Sequence, residues 1–385
     1  MNSLARHLAP LTKSVSPALV SPESFTQMLV VAETLPGEFA RSTMGIECRL
    51  GDGKQDADLL IQATGDSGRK ALAVLPDEGA YNHFIWRRVR SLARASIDPQ
   101  HVLYGGIDKV WLEFDAAALS SALPASPLPS VFFGFSDCVA PARGRHLRSA
   151  VDRHLEITLA GLQLLLESPL STELVADLST YFHIRSSDLQ VFQVGLMLAR
   201  QKDAIRLCLR SRSPECLLPY IEAVGRTEDR NQIAAWVDRL SGRIAYLCLN
   251  LDVGPDASAK IGIECHLREA SAPGGPANWQ PLLDELALEG CITGEKRAAL
   301  RVSDGNIDAN RSGDAWPEPL REIASIIGSR SECMCVWGLH HIKIVLHEGR
   351  AEAKAYFAID YRWREPRIRE ESQSILDETG GGERD

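Results

Sequence analysis

The residues able to do chemistry fall at every second position of short β-like runs. Lys354 and Tyr356 lie in AKAYFAIDY, and Lys260, Glu264 and His266 lie in KIGIECHL. Arg206 and Arg210 lie in AIRLCLR, and Glu47 and Arg49 in MGIECRL. Successive side chains of a strand point to opposite faces, so each set shares one face while Ile, Leu, Cys and Ala fill the other. Lys354, Lys260 and Arg206 occupy the same place in three gaplessly aligned strands. Such a recurrent cation, joined by Lys343 and Arg210, supplies the charge and N–H donors that a diphosphate needs. Glu47 and Glu113 are the candidates for proton transfer. Trp111, Met197, Tyr246 and Phe132 dot the same polar faces, a mixture suited to a wet cavity that also takes an apolar ligand. Trp111, Met197, Tyr246 and His266 are assigned to its wall. The competing reading is an ordinary sheet with its polar face in water, and Asp115 and Asp252 then simply start turns at strand ends.

These residues need elements that hold them around one space. Five pairs of β-like runs recur: 44–50 with 57–64, 109–115 with 130–136, 191–199 with 204–210, 245–253 with 260–267, and 341–348 with 353–361. Gly, Pro and Asp bound them, as in hairpins. Between pairs the apolar period lengthens toward 3.6 and predicts helices over 80–95, 149–168, 214–225, 230–242, 278–290 and 317–328. The order predicts an α+β fold: a closed, antiparallel, ten-stranded barrel of five αββα repeats with its helices outside. Closure also removes exposed sheet edges. The alternative is an open antiparallel α+β sheet. One barrel domain is expected over 23–365, after a flexible segment at 1–22 and before a disordered tail at 366–385.

Composition narrows the class. The chain has 385 residues, 45% of them apolar, which is ample for a core and excludes a disordered chain. Lys plus Arg number 42 and Asp plus Glu 51, a net charge of −9 that argues against a nucleic-acid partner. No apolar run approaches the ~20 residues of a membrane span, and no signal-like segment opens the chain, so a cytoplasmic protein without a membrane partner is expected. Nine cysteines, an odd number scattered through apolar runs, read as free thiols in a reducing compartment. Cys333 and Cys335 form a lone CxC, and no second pair stands at zinc-site spacing. His340 and His341 are adjacent, so on a regular strand they face opposite ways and share no metal. No HExxH, P-loop, GxSxG or Rossmann pattern occurs, and no metal site is expected.

On these residues the chain resembles the aromatic prenyltransferases of the ABBA, or PT-barrel, fold. The αββα order covers most of the chain. AKAYFA (353–358) is similar to the K-x-Y-F signature on a diphosphate-binding strand of the fungal indole prenyltransferases. GIECRL (45–50) is similar to the early strand that carries the catalytic Glu of that group. The resemblance implies that Lys354 and Tyr356 bind diphosphate, and that Glu47 orients the acceptor and takes its proton. By internal repeat, Lys260 and Arg206 join the clamp. The implied partners are an allylic diphosphate donor and an aromatic small-molecule or peptide acceptor, as in natural-product biosynthesis. No cofactor is required by this chemistry, and Mg2+ is compatible with it. The chain departs from the pattern at Asp58, where the fungal strand has Arg, and in having only seven Tyr. It has no D-D-x-x-D motif, which argues against a metal-clamped terpene-synthase mechanism. Two other functions remain open. One is a different peptide- or metabolite-modifying enzyme that uses Glu47, Glu113, Glu264, His266 and His341 for proton transfer. The other is a noncatalytic binding protein built on the same barrel.

Overall fold

The computed structural model describes residues 3–364, except 52, 116–126, 137–146, 185–188, 201–203, 227–229, 255–256, 268–278, 304 and 329–330. The tail expected at 366–385 and the connection between the expected runs 191–199 and 204–210, at 201–203, lie outside the described residues. Alternating apolar residues form eleven strands in one sheet. They are β1 Met44–Arg49, β2 Ala57–Thr64, β3 Ile107–Phe114 and β4 Ser130–Phe135. Then come β5 Leu189–Leu196, β6 Ile205–Ser211, β7 Ile244–Val253 and β8 Ile261–Leu267. The last are β9 Gly305–Ile307, β10 Glu332–His347 and β11 Arg350–Arg364.

Each strand from β1 to β8 pairs antiparallel with the next. β8 then pairs with β10, β10 with β11, and β11 with β1. This closes ten strands into the expected α+β barrel. β9 adds a short pairing to the N-terminal part of β10. The five expected hairpin pairs are therefore the five αββα units. Helices fill the connections: Gly65–Ala73 and Phe84–Ile97 between β2 and β3, Leu147–Leu166 and Thr172–His183 between β4 and β5, and Leu217–Ala223 and Arg230–Leu240 between β6 and β7. Gln280–Leu288, Gly294–Leu300 and Glu318–Ile327 follow β8.

The core lies between barrel wall and helices. Outward residues such as Leu59, Val110, Phe133, Leu207, Leu249 and Ile263 are fully buried, as are the helix residues Leu92 and Leu162. Each such side chain contributes about 1.5–3 kcal/mol on burial. The inner face is thereby left to polar residues. The eight described cysteines are all free, with Cys48, Cys208, Cys248 and Cys265 buried in the strands as expected.

Three expectations need correction. The segment 1–22, expected to be flexible, carries short helical turns at Ala5–Leu8 and Ala9–Lys13, and Leu4, Leu8, Leu11 and Leu19 enter the core. Its leucines anchor it despite its Pro and Ser content. β10 begins at Glu332 rather than 341, because the far half of β11 gives it partners out to Arg364. The two residues between these strands, Glu348 and Gly349, have φ of 51° and 72°, the double left-handed turn that matches the twist of a tight hairpin.

Third, strict alternation fails at β-bulges. The register slips by one residue at Phe192 in β5, at Ala245 in β7 and at His340 in β10. A bulge inserts a residue and re-aims its side chain. Hence Phe192 and Gln193 both line the lumen, and so do His340 and His341. The expectation that the two histidines face opposite ways is overturned by this bulge.

Candidate functional site

The lumen encloses a cavity of about 830 Å³. Strand alternation brings Glu47, Trp111, Glu113, Arg206, Tyr246, Lys260, His266, Lys343, Lys354 and Tyr356 to its wall, and Lys260 stands exposed at its end. Met197, the remaining expected wall residue, lies just past β5 and packs beside the lumen with Phe132 and Cys208.

The cations form two rows rather than one ring. Arg49, Lys354 and Lys343 are direct cross-strand neighbours on β1, β11 and β10. Like charges so placed repel unless they are compensated. Glu47 is ion-paired to Lys354. Lys343 Nζ donates to Asn250 Oδ1 at 2.9 Å and to Glu264 Oε1 at 3.3 Å, and Asn250 Nδ2 donates to the same Glu264 oxygen at 3.0 Å. The second row runs across β6, β7 and β8. Arg206 grips Asp252 with two hydrogen bonds of 2.8 and 3.2 Å, and Lys260 follows just before β8. Lys260 is four residues from Glu264, about 13 Å at about 3.3 Å per extended residue, so it belongs to a different level from Lys343.

Asp115 and Asp252, which the competing reading places simply at turns, are both buried, and each holds an arginine: Arg200 Nε donates to Asp115 Oδ2 at 2.8 Å. Arg200 and Asn250 are site residues that went unassigned in the sequence. Asn250 was legible, because it continues the lumenal alternation of Tyr246, Cys248 and Asp252. Phe192 and His340 were not legible, because a bulge breaks the pattern that would reveal them.

The two candidate carboxylates differ sharply. Burial opposes ionisation of Glu47, but the Lys354 and Lys343 charges and hydrogen bonds from Lys354 and Tyr356 outweigh it and lower its pKa to about 2. Glu113, on β3, has no hydrogen bond or ion pair among the described residues. Burial, and then the Glu47 charge, raise its pKa to about 7, against the opposing pull of Lys343, Arg206 and Arg200. A carboxyl poised near neutral pH can both accept and return a proton.

A belt of rings runs round the wall. Tyr246 stacks on His266 with centroids 4.1 Å apart, His266 lies 4.6 Å from His341, and His341 stacks on Tyr356 at 4.2 Å. Arg210 continues the belt, its guanidinium 5.2 Å from the Tyr246 ring and 4.4 Å from Phe192. Burial holds the pKa of His266, His340 and His341 below the usual value, so the rings are neutral near pH 7.

Trp111, Phe132 and Phe192 form an apolar patch with Cys208 and Met197 on β3 to β6. In the ring of ten strands this patch lies half a turn from β10 and β11, opposite the row of Arg49, Lys354 and Lys343. Gly195 makes room for it: a Cβ there would sit 2.0 Å from the Phe132 ring. The lumen thus sets a cationic wall against an apolar one.

Among the described residues no helix is long and apolar enough to cross a membrane. No protein-family model matches the chain, and no curated protein matches it.

Proposed function

We propose that the lumen is an active site that transfers an allylic prenyl group from its diphosphate to an aromatic small molecule or peptide side chain, a step of natural-product biosynthesis. The observation that carries this reading is the row Arg49, Lys354 and Lys343, with Tyr356 beside it, facing the Trp111–Phe132–Phe192 patch across one cavity. The donor's diphosphate binds the cations and its hydrocarbon tail lies on the patch. The carbon–oxygen bond breaks with its electron pair leaving on diphosphate. The faces of Tyr356 and Trp111 stabilise the allyl cation, the Tyr246 ring already carrying His266 and the Arg210 guanidinium. An acceptor carbon attacks, and the proton it loses goes to Glu113. Glu47, with a pKa near 2, is too weak a base for that step and instead anchors Lys354. No cofactor is required.

The test is incubation of the purified protein with dimethylallyl or geranyl diphosphate and indole-like acceptors. The expected product gains one prenyl mass, and Lys354→Ala abolishes donor binding. Absence of calorimetric binding of either diphosphate contradicts the proposal.

A second reading draws on one observation: Arg206, Lys343 and Lys354 each already hold a carboxylate. In that reading the lumen carries out proton transfer on a substrate without diphosphate, through Glu113. Activity lost in Glu113→Gln but kept in Lys354→Ala favours it.

A further inference from the structure

We propose that His266, His340 and His341 form a binding site for one divalent first-row transition metal of the zinc type, in the lumen wall between β8 and β10. One nitrogen from each of the three rings can be chosen so that all lie within 4.8 Å of one another. The inference does not depend on prenyl transfer.

The geometry is built rather than incidental. The bulge at His340 turns two consecutive side chains to the same side, and the pair Ile342 and Cys265 brings the adjoining His341 beside His266. The Nδ1 atoms of His340 and His341 are 2.8 Å apart. Two nitrogen ligands of a tetrahedral ion with metal–nitrogen bonds of about 2.0–2.1 Å stand about 3.3 Å apart, so the pair has to open by about 0.5 Å to take the ion. The rings are also held in place. His266 is stacked on Tyr246 and His341 on Tyr356, each within 16° of parallel.

The other nitrogen of His341, Nε2, is buried without a hydrogen-bond partner and lies 4.0 Å from Glu264 Oε2. A carboxylate that accepts this N–H would fix the ring and raise its basicity, and Glu264 stands within about 1 Å of that position. Cys248 Sγ lies 3.9 Å from His266 Nε2, and Cys248, Glu264 and His266 form a second close group that shares the same histidine. Two cations act on the group: Lys343 on His341, its ammonium already held by Glu264 and Asn250, and Arg210 on His266, its guanidinium over the Tyr246 ring. Neutral imidazole is the form that binds such ions, and imidazole ligation suits Zn2+, Co2+, Ni2+ and Fe2+ rather than Mg2+. Three histidine ligands leave a coordination position for water or a lumenal ligand.

Titration of the chelator-stripped full chain with Co2+ tests this. One equivalent is expected to give the visible absorption of four- or five-coordinate Co2+, and one equivalent of Zn2+ to displace it. Zn2+ is also expected to raise the thermal midpoint of the unsubstituted protein, because an ion that binds only the folded state stabilises it. His266→Ala and His341→Ala should each weaken binding by about 100-fold or more, beyond the 10–100-fold typical of residues behind the ligands. His347→Ala, at the β10–β11 turn, should leave it unchanged. Where an alanine variant does not fold, His340→Gln or His266→Gln keeps the volume and reads the same loss. The proposal is overturned if the unsubstituted protein shows neither Co2+ absorption nor Zn2+ stabilisation. It is equally overturned if the absorption survives the folded His266→Ala/His341→Ala double variant.

Discussion

Glu47 and Glu113 were equal candidates by residue type and alternation, and only their neighbours separate them. Glu47 meets Lys354 and Tyr356 on the adjacent strand, while Glu113 meets no donor among the described residues. Which carboxylate is ion-paired depends on strand register, and the sequence shows alternation but not register. Two predictions follow from the difference. The pKa of Glu113 is raised from 4.5 to about 7, so folded protein holds a proton there that the unfolded chain releases. Its contribution to stability is full below pH 4.5 and is lost as the pH rises through 7. The midpoint of Glu113→Gln relative to the parent should therefore climb between those values in a thermal series across pH, while its rate falls by about 10²–10⁴. Lys354→Met leaves Glu47 charged and buried without its partner. It should cost about 3 kcal/mol in urea unfolding, the low end for a broken buried pair because the ammonium faces the cavity. Adding Glu47→Gln should restore most of that loss.

The strands themselves were largely legible, since β2 ends where its alternation ends and β8 differs by a single residue at its start. Bulges were not, because an inserted residue is locally an ordinary apolar or polar residue. They matter most for the site, placing Phe192 and His340 in the lumen. Glycine at 195 is a second local device. Gly195→Ala drives a methyl into the Phe132 ring and should cost about 1–3 kcal/mol by overpacking. Combining it with Phe132→Ala should cost less than the two changes summed, which a double-mutant cycle measures. At the β10–β11 turn, Glu348→Asn replaces a residue strained at φ 51° with one that tolerates it and should raise the thermal midpoint slightly.

Closure organises the whole molecule. The first strand, β1, has its partners in β2 and in β11, the last strand of the chain. The order helix, hairpin, helix made the barrel readable in the sequence, because five similar units with polar inner faces have few other ways to hide their edges. The lumen's charge balance was not readable. The three aligned cations predict one positive ring, whereas closure offsets the strands, so Arg206 lies opposite Asp252, one residue beyond the last β7–β8 pair and beside Lys260, and Lys354 lines up with Arg49 and Lys343. The row at β1, β11 and β10 sets three cations against two carboxylates, Glu47 and Glu264, with Arg49 without an ion pair among the described residues, and so keeps a net positive charge for an anion. The central claim is that this row binds an allylic diphosphate. Isothermal titration of geranyl diphosphate into the full chain tests it most directly. The account predicts one site per chain, retained in Glu47→Gln and lost in the folded Lys354→Met/Glu47→Gln pair. No binding to the unsubstituted protein, or equal binding to that double variant, would contradict it.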